Sequence, residues 1–163
     1  MNKNIRDLAL EIATKAHEGQ FREDKVTPYI SHPIEVARIA LEMLYQNYPP
    51  LSFSIETENR IYIAALGHDI LEDSDLTDSD LRNFGIQGLD QLALEMVWVP
   101  AIESILFLSR KEKQTYLDYL LKIKNNFVAK IVKLADLQHN LSDSKPGTNR
   151  TDKYLLAQYI LQN

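Results

Sequence analysis

Apolar residues recur along this chain with the spacing of helices and almost nowhere with the alternation of strands. Ile5, Leu8, Ile12 and Ala16 fall at i, i+3, i+7 and i+11, one face of a helix. Val36, Ile39, Ala40, Met43 and Leu44 repeat the pattern behind Pro33, a residue suited to a first helical turn. Ile61, Ala64 and Ala65 mark a third helix, and His68 and Glu72 continue its face. Thr77-Asp78-Ser79-Asp80 reads as an N-cap cluster, with Gly85 as the stop of the short helix it begins. Further helices are expected from Leu89 to Val97, Pro100 to Leu108, Lys113 to Lys124, Asn126 to Leu141 and Thr151 to Leu161. The longest loops then run from Gly19 to Ser31, Tyr48 to Ile55 and Ser142 to Arg150. The pattern predicts an all-α bundle of about seven to nine helices.

Composition narrows the function classes. A chain of 163 residues suits one domain, here residues 1–163, with a sizeable core. Hydrophobic residues at 45% and charged residues at 25% describe a globular protein rather than a disordered one. Eighteen Lys and Arg against 23 Asp and Glu give a net charge of −5. That argues against nucleic acid as a partner, because phosphate neutralisation supplies most of such affinity. A small phosphorylated ligand in a local basic pocket stays compatible. Cysteine is absent, so any metal must be held by His, Asp or Glu. No apolar run suggests a membrane span, and the first residues lack the apolar stretch of a signal peptide. A cytoplasmic location is expected.

Three segments could carry chemistry. In Leu66-Gly67-His68-Asp69-Ile70-Leu71-Glu72-Asp73, ionisable residues interrupt an apolar face, which is costly unless they are paired or bind a metal. Adjacent His68 and Asp69 diverge by about 100° on a helix, so one ion serves both only from between them. In Lys133-Leu134-Ala135-Asp136-Leu137-Gln138-His139-Asn140, Asp136 lies beside the core stripe and wants a cation, either a metal or a neighbouring lysine. His139 falls on another side and reads as structural. In Thr27-Pro28-Tyr29-Ile30-Ser31-His32-Pro33, His32 stands where a helix begins, after a loop carrying Arg22 and Lys25. His17, near the end of the first helix, reads as a favourable partner of the helix dipole. Trp98 reads as an anchor between helices. A mixed set of His and carboxylate suits Mn, Fe, Co or Zn.

The order His…His-Asp…Asp resembles the HD-domain metal-dependent phosphohydrolases. AHEGQFR…TPYISHPIEVARI, AALGHDILEDSDLT, LRNFG, SRKEKQTYLDYL, KIVKLADLQHNLSD and NRTDKYLLAQYI follow the order of the alarmone hydrolase domain. That domain occurs in RelA/SpoT-type enzymes and alone in small alarmone hydrolases. The resemblance implies an all-α HD-domain bundle with one divalent ion, usually Mn2+. Its ligands would be His32, His68, Asp69 and Asp136. Glu72 and Asp73 would be the catalytic acidic pair. Arg22, Asn140 and Tyr154 would contact substrate, with Lys25 standing in for a basic residue the family carries where this chain has Glu23. Leu137 and Gly67 also depart from the family pattern. The expected reaction is hydrolysis of the 3′-pyrophosphate of (p)ppGpp, without a synthetase domain. The alternatives are an HD phosphohydrolase for another phosphorylated nucleotide, such as a nucleoside monophosphate or an NADPH-type phosphomonoester, and a nucleotide sensor without catalysis.

Overall fold

Side chains that accept backbone N–H groups set most of the helix starts. Asn4 caps α1 (Ile5–Ala16), Ser54 caps α3 (Ile55–Gly67), and Thr77 with Asp80 forms a capping box on α5 (Asp78–Gly88). Thr115, Asn126 and Thr148 cap α8 (Tyr116–Lys124), α9 (Phe127–Ser142) and α10 (Asn149–Gln162). Each such cap contributes about 0.5–2 kcal/mol. α2 (Ser31–Asn47) starts without a side-chain cap, and α4 (Ile70–Asp73) is a single turn. α6 (Gln91–Ala93), a π-helical turn (Leu94–Trp98) and α7 (Val99–Leu108) follow without a break. The computed structural model describes residues 3–49 and 52–163. Positions 50 and 51 of the loop expected from Tyr48 to Ile55 therefore lie outside the described residues, as do the first two. Among the described residues there is no strand, only an isolated bridge between Phe21 and Pro28.

The fold is the expected all-α bundle, centred on α3. Helices α1, α2, α7 and α9 all pack against it. Ile61, Ile63, Ala64, Ala65 and Leu66 are buried there, with Val36, Ala40 and Leu44 from α2 and Ile131, Val132 and Ala135 from α9. A fully buried Leu or Ile contributes about 1.5–3 kcal/mol. The small alanines on α3 let four neighbours approach, and the start of α2, the end of α3 and the middle of α9 meet on one side of this core.

Local expectations changed in three places. Gly85 does not stop α5, which runs on to Gly88. Its missing side chain instead makes room for Trp98: a Cβ there would sit 2.3 Å from Trp98 Cδ1. The segments expected on either side of Pro100 join into one helix. The π-turn just before the proline absorbs the disruption, and its Met96 carbonyl is taken by the Arg60 guanidinium, Nη2 at 2.5 Å and Nε at 2.9 Å. α3 ends at Gly67, so His68 and Glu72 do not share one continuous helix. The space beside Gly67 is filled by Ile105, whose Cδ1 would lie 2.4 Å from an added Cβ. The joined stretch Gln91–Leu108 has mean hydropathy 1.5 and could cross a membrane by length and composition alone. Here Trp98, Ala101, Ile102, Ile105 and Leu108 are buried in the core.

Gly85→Ala should lower unfolding stability by about 1–3 kcal/mol, because Trp98 is fixed by its Nε1 bond to the Leu81 carbonyl at 2.8 Å. Urea denaturation measures this, and an unchanged midpoint would mean that the indole can move aside.

Candidate metal centre

Three helices converge on one buried point. His32 stands in the first turn of α2, His68 and Asp69 between α3 and α4, and Asp136 in the middle of α9. One ligand atom from each of His32, His68 and Asp136 lies within 4.8 Å of the others, and all three residues are buried. His32 Nε2 is 3.2 Å from Asp136 Oδ1, and His68 Nε2 is 3.7 Å from the same oxygen. Asp69 Oδ2 lies 3.0 Å from His68 Nε2 and 3.7 Å from His32 Nε2. The helical break after Gly67 lets sequence neighbours His68 and Asp69 face the same point.

The surroundings orient each group. His68 Nδ1 sits 2.7 Å from the Ala65 carbonyl and donates to it, which turns Nε2 toward the cluster. There Nε2 is buried with no hydrogen bond of acceptable geometry. His32 Nδ1 is held 2.7 Å from His139 Nδ1. Asp136 accepts from Lys133 Nζ at 2.7 Å through one oxygen and from Asn140 Nδ2 at 2.5 Å through the other. Tyr29 Oη donates to Asp69 Oδ2 at 2.6 Å. A buried imidazole nitrogen without a well-formed hydrogen bond, facing a second imidazole nitrogen and two carboxylate oxygens, fits a divalent transition ion.

Electrostatics agree. Burial alone would raise Asp136, but the Lys133 cation and the two histidines hold its carboxyl well below the ordinary carboxylate range. Asp69 is likewise lowered: burial opposes its charge, and His68 outweighs it. Burial pushes His32 down, toward the neutral form that ligates metal. Burial also works against charge on His68, yet the Asp69 and Asp136 carboxylates hold its pKa up to about 10.

The other expected residues fall into two groups. Arg22, Asn140 and Tyr154 line a cavity of about 370 Å³ that contains His32, Asp69 and Asp136. Lys25 does not line it: it is exposed at the tip of a turn closed by Arg22 and Thr27, with φ 59°. Asp73 lies 3.4 Å from the Tyr29 hydroxyl, and burial followed by the Asp69 charge raises its pKa. Glu72 turns aside, its Oε1 accepting the Arg110 N–H at 2.6 Å.

Tyr29, Lys133 and Tyr116 line the site and were not assigned to it from the sequence, and His139, read there as structural, lies against His32. Lys133 had a signal, since it stands three residues before Asp136 on the same helix. His139 had none, because its partner is His32. A second cavity of about 720 Å³ adjoins the first and shares Arg22, Glu23, Asn140 and Arg150 with it. A more apolar hollow of about 510 Å³ between α1 and α5 holds none of these groups.

Residues 29–141 match the HD domain family. A guanosine-3′,5′-bis(diphosphate) 3′-pyrophosphohydrolase of Haemophilus influenzae is 31% identical over 87% of this chain, which spans 19% of that protein's length. The first bacterial relatives are thus about five times longer than the shared region. The MESH1 enzyme of Drosophila melanogaster, which carries the same activity name, is 28% identical over 94% of this chain and 81% of its own length. A solved structure described as a metazoan ortholog of SpoT that hydrolyses ppGpp superimposes with TM-score 0.64 at 21% identity. That match covers 99% of this chain and 85% of that one, and it speaks to fold.

Metal binding at pH 7 should release about one proton per ion, because His68 is charged below its pKa of about 10 and must lose that proton to ligate. Apparent affinity should therefore rise with pH toward that value. Calorimetric titration in buffers of different ionisation enthalpy reads the release, and a buffer-independent enthalpy would contradict it. His139→Leu, which frees His32 Nδ1, should weaken metal binding about 10- to 100-fold in the same titration.

Proposed function

We propose that this chain, which belongs to the HD domain family, is a metal-dependent phosphohydrolase acting on the 3′-pyrophosphate of (p)ppGpp. The observation that carries the proposal is the His32–His68–Asp69–Asp136 cluster opening on a cavity whose wall also holds Arg22, Lys133, Arg150 and Lys153. Support comes from the activity named for the Drosophila relative, which aligns along most of its own length. Residues 1–163 would form one catalytic domain, and a cytoplasmic location belongs to the same proposal.

His32, His68, Asp69 and Asp136 would hold one divalent ion, manganese in this reading. When bound, that ion supplies Lewis acidity, lowering the pKa of water and polarising a phosphoryl oxygen. The chain's own residues do the remaining work. Asp73, its pKa raised and its carboxylate 3.4 Å from the Tyr29 hydroxyl, would take a proton from the attacking water. Glu72 is the other member of the proposed catalytic pair, fixed through Oε1 to the loop after α7. Arg22, Arg150 and Lys153 would neutralise the diphosphate, and Asn140 and Tyr154 would contact the nucleotide. Water adds hydroxyl to the attacked phosphorus, and the 3′ oxygen leaves and takes a proton. The products are pyrophosphate and GDP or GTP.

One observation favours a second reading, a phosphohydrolase for another phosphorylated nucleotide. In the adjoining cavity Arg22, Lys145 and Arg150 are balanced by Glu23, Asp24 and Asp143, so it offers no surplus of cations for a second phosphate group.

A manganese-supplemented assay with ppGpp, separating GDP and pyrophosphate from substrate, should show turnover that falls more than about 100-fold in His68→Ala. Manganese bound without turnover would move the reading to the other nucleotides.

A further inference from the structure

Two arginines form the partition between the metal cavity and its neighbour, and both are engaged by carboxylates. Arg22 Nη2 is 3.0 Å from Asp143 Oδ2, and Arg150 Nη1 pairs with Glu23. The pairs cross: the loop after α1 supplies one arginine and one acid, and the segment from the end of α9 into α10 supplies the others. Each arginine is also held independently of its acid. Arg22 lies over the Tyr29 ring, 5.8 Å from its centroid. Arg150 donates from Nε to Tyr154 Oη at 2.8 Å and lies 5.5 Å from that ring's centroid. Losing the carboxylates would leave both guanidinium groups in place.

The acids are free to leave. The Glu23 side chain is 80% exposed and that of Asp143 is 57% exposed, so each can turn into water. Glu23 needs no loop movement to do so. The turn that carries it is fixed by the Arg22 N–H to the Thr27 carbonyl at 2.8 Å and by Asp24, which accepts from the Val26 and Thr27 N–H groups.

We propose that Glu23 and Asp143 are placeholder carboxylates that occupy the anion-binding faces of Arg150 and Arg22 and compete with phosphorylated ligands for them. A ligand that binds these arginines must displace them. A ligand whose anionic oxygens reach both arginines replaces two ion pairs with charge-assisted hydrogen bonds of the same kind. One that reaches neither arginine leaves both ion pairs intact, so Glu23 and Asp143 temper the binding only of ligands whose negative charge extends to the partition. This rests on the phosphohydrolase reading for the ligand class and does not depend on which nucleotide is cleaved.

The test uses the manganese-loaded protein and inorganic pyrophosphate as the probe. Glu23→Gln and Asp143→Asn should each tighten pyrophosphate binding about two- to five-fold by calorimetry, the range that exposed ion pairs span. With ppGpp the gain should appear in KM rather than in kcat. Added salt should shrink it. In an Arg150→Ala background, Glu23→Gln should have no effect, since the placeholder has lost its arginine. An equal gain in that background would overturn the proposal in favour of simple repulsion by charge. Unchanged pyrophosphate affinity in both single variants would overturn it as well, as would absence of pyrophosphate binding in every protein tested. If the cycle holds and ppGpp is not cleaved, the substrate reading falls and the placeholder role stands.

Discussion

Asp136 is a carboxylate buried in the core of a helical bundle, and much of the site follows from the need to satisfy it. Effective burial penalties for a charge run to several kcal/mol, and an ion pair stripped of one partner loses about 3–5 kcal/mol. Lys133 takes one oxygen, Asn140 the other, and the two histidine Nε2 atoms lie within 3.2 and 3.7 Å. Lys133 lies against the Tyr119 ring, 5.7 Å from its centroid, with its side chain only 16% exposed at the cavity wall. Five polar residues from α2, the α3–α4 junction and α9 therefore satisfy one another only when all three elements are in register. A point that demands a cation in this way stabilises a bound metal and makes a poor place for an apolar ligand.

Irregular backbone does as much here as regular helix. Had α3 continued through His68, the imidazole and the Asp69 carboxylate would have pointed about 100° apart. Ending the helix at Gly67 turns both toward the cluster and starts α4, whose last two residues are Glu72 and Asp73. Ile105 fills the volume beside Gly67, so α7 packs close behind the break. The π-turn has a comparable role on the far side: it lets a proline-containing helix continue, and it seats Trp98 against Gly85. The core thereby gains a rigid back wall behind the metal ligands.

What could be read from the residues depended on how local the cause was. Helices were legible because their periodicity and caps lie within a few positions; Thr77 with Asp80 is one such case. The convergence of His32, His68, Asp69 and Asp136 was expected only through resemblance to a family, since nothing local says that distant turns meet. Lys133 beside Asp136 could be read from i, i+3 spacing alone. The contact between His139 and His32 could not, because it joins α9 to α2 across 107 residues. Gly85 was misread for the same reason: its role is set by Trp98, which is distant in sequence, and a glycine that makes room looks locally like one that ends a helix. The exposed position of Lys25 follows from a left-handed turn, which a lysine seldom signals.

The charge pattern around the cavity ties these levels together. The chain is acidic overall, yet the metal cavity draws Arg22, Lys133, Arg150 and Lys153 from three separate segments of the sequence. Two of these cations stay within the cavity wall: Lys133 is bound to Asp136, and Lys153 lies 4.3 Å from the Tyr116 ring centroid. The other two, Arg22 and Arg150, face both cavities and carry exchangeable carboxylates. A fixed pair close to the ligands and an exchangeable pair at the partition divide the work. Lys133 keeps Asp136 ionised, Lys153 adds fixed charge beside it, and the arginines take up an anion only by releasing their carboxylates. Net charge reports none of this, because the relevant quantity is how each cation is already engaged before a ligand arrives.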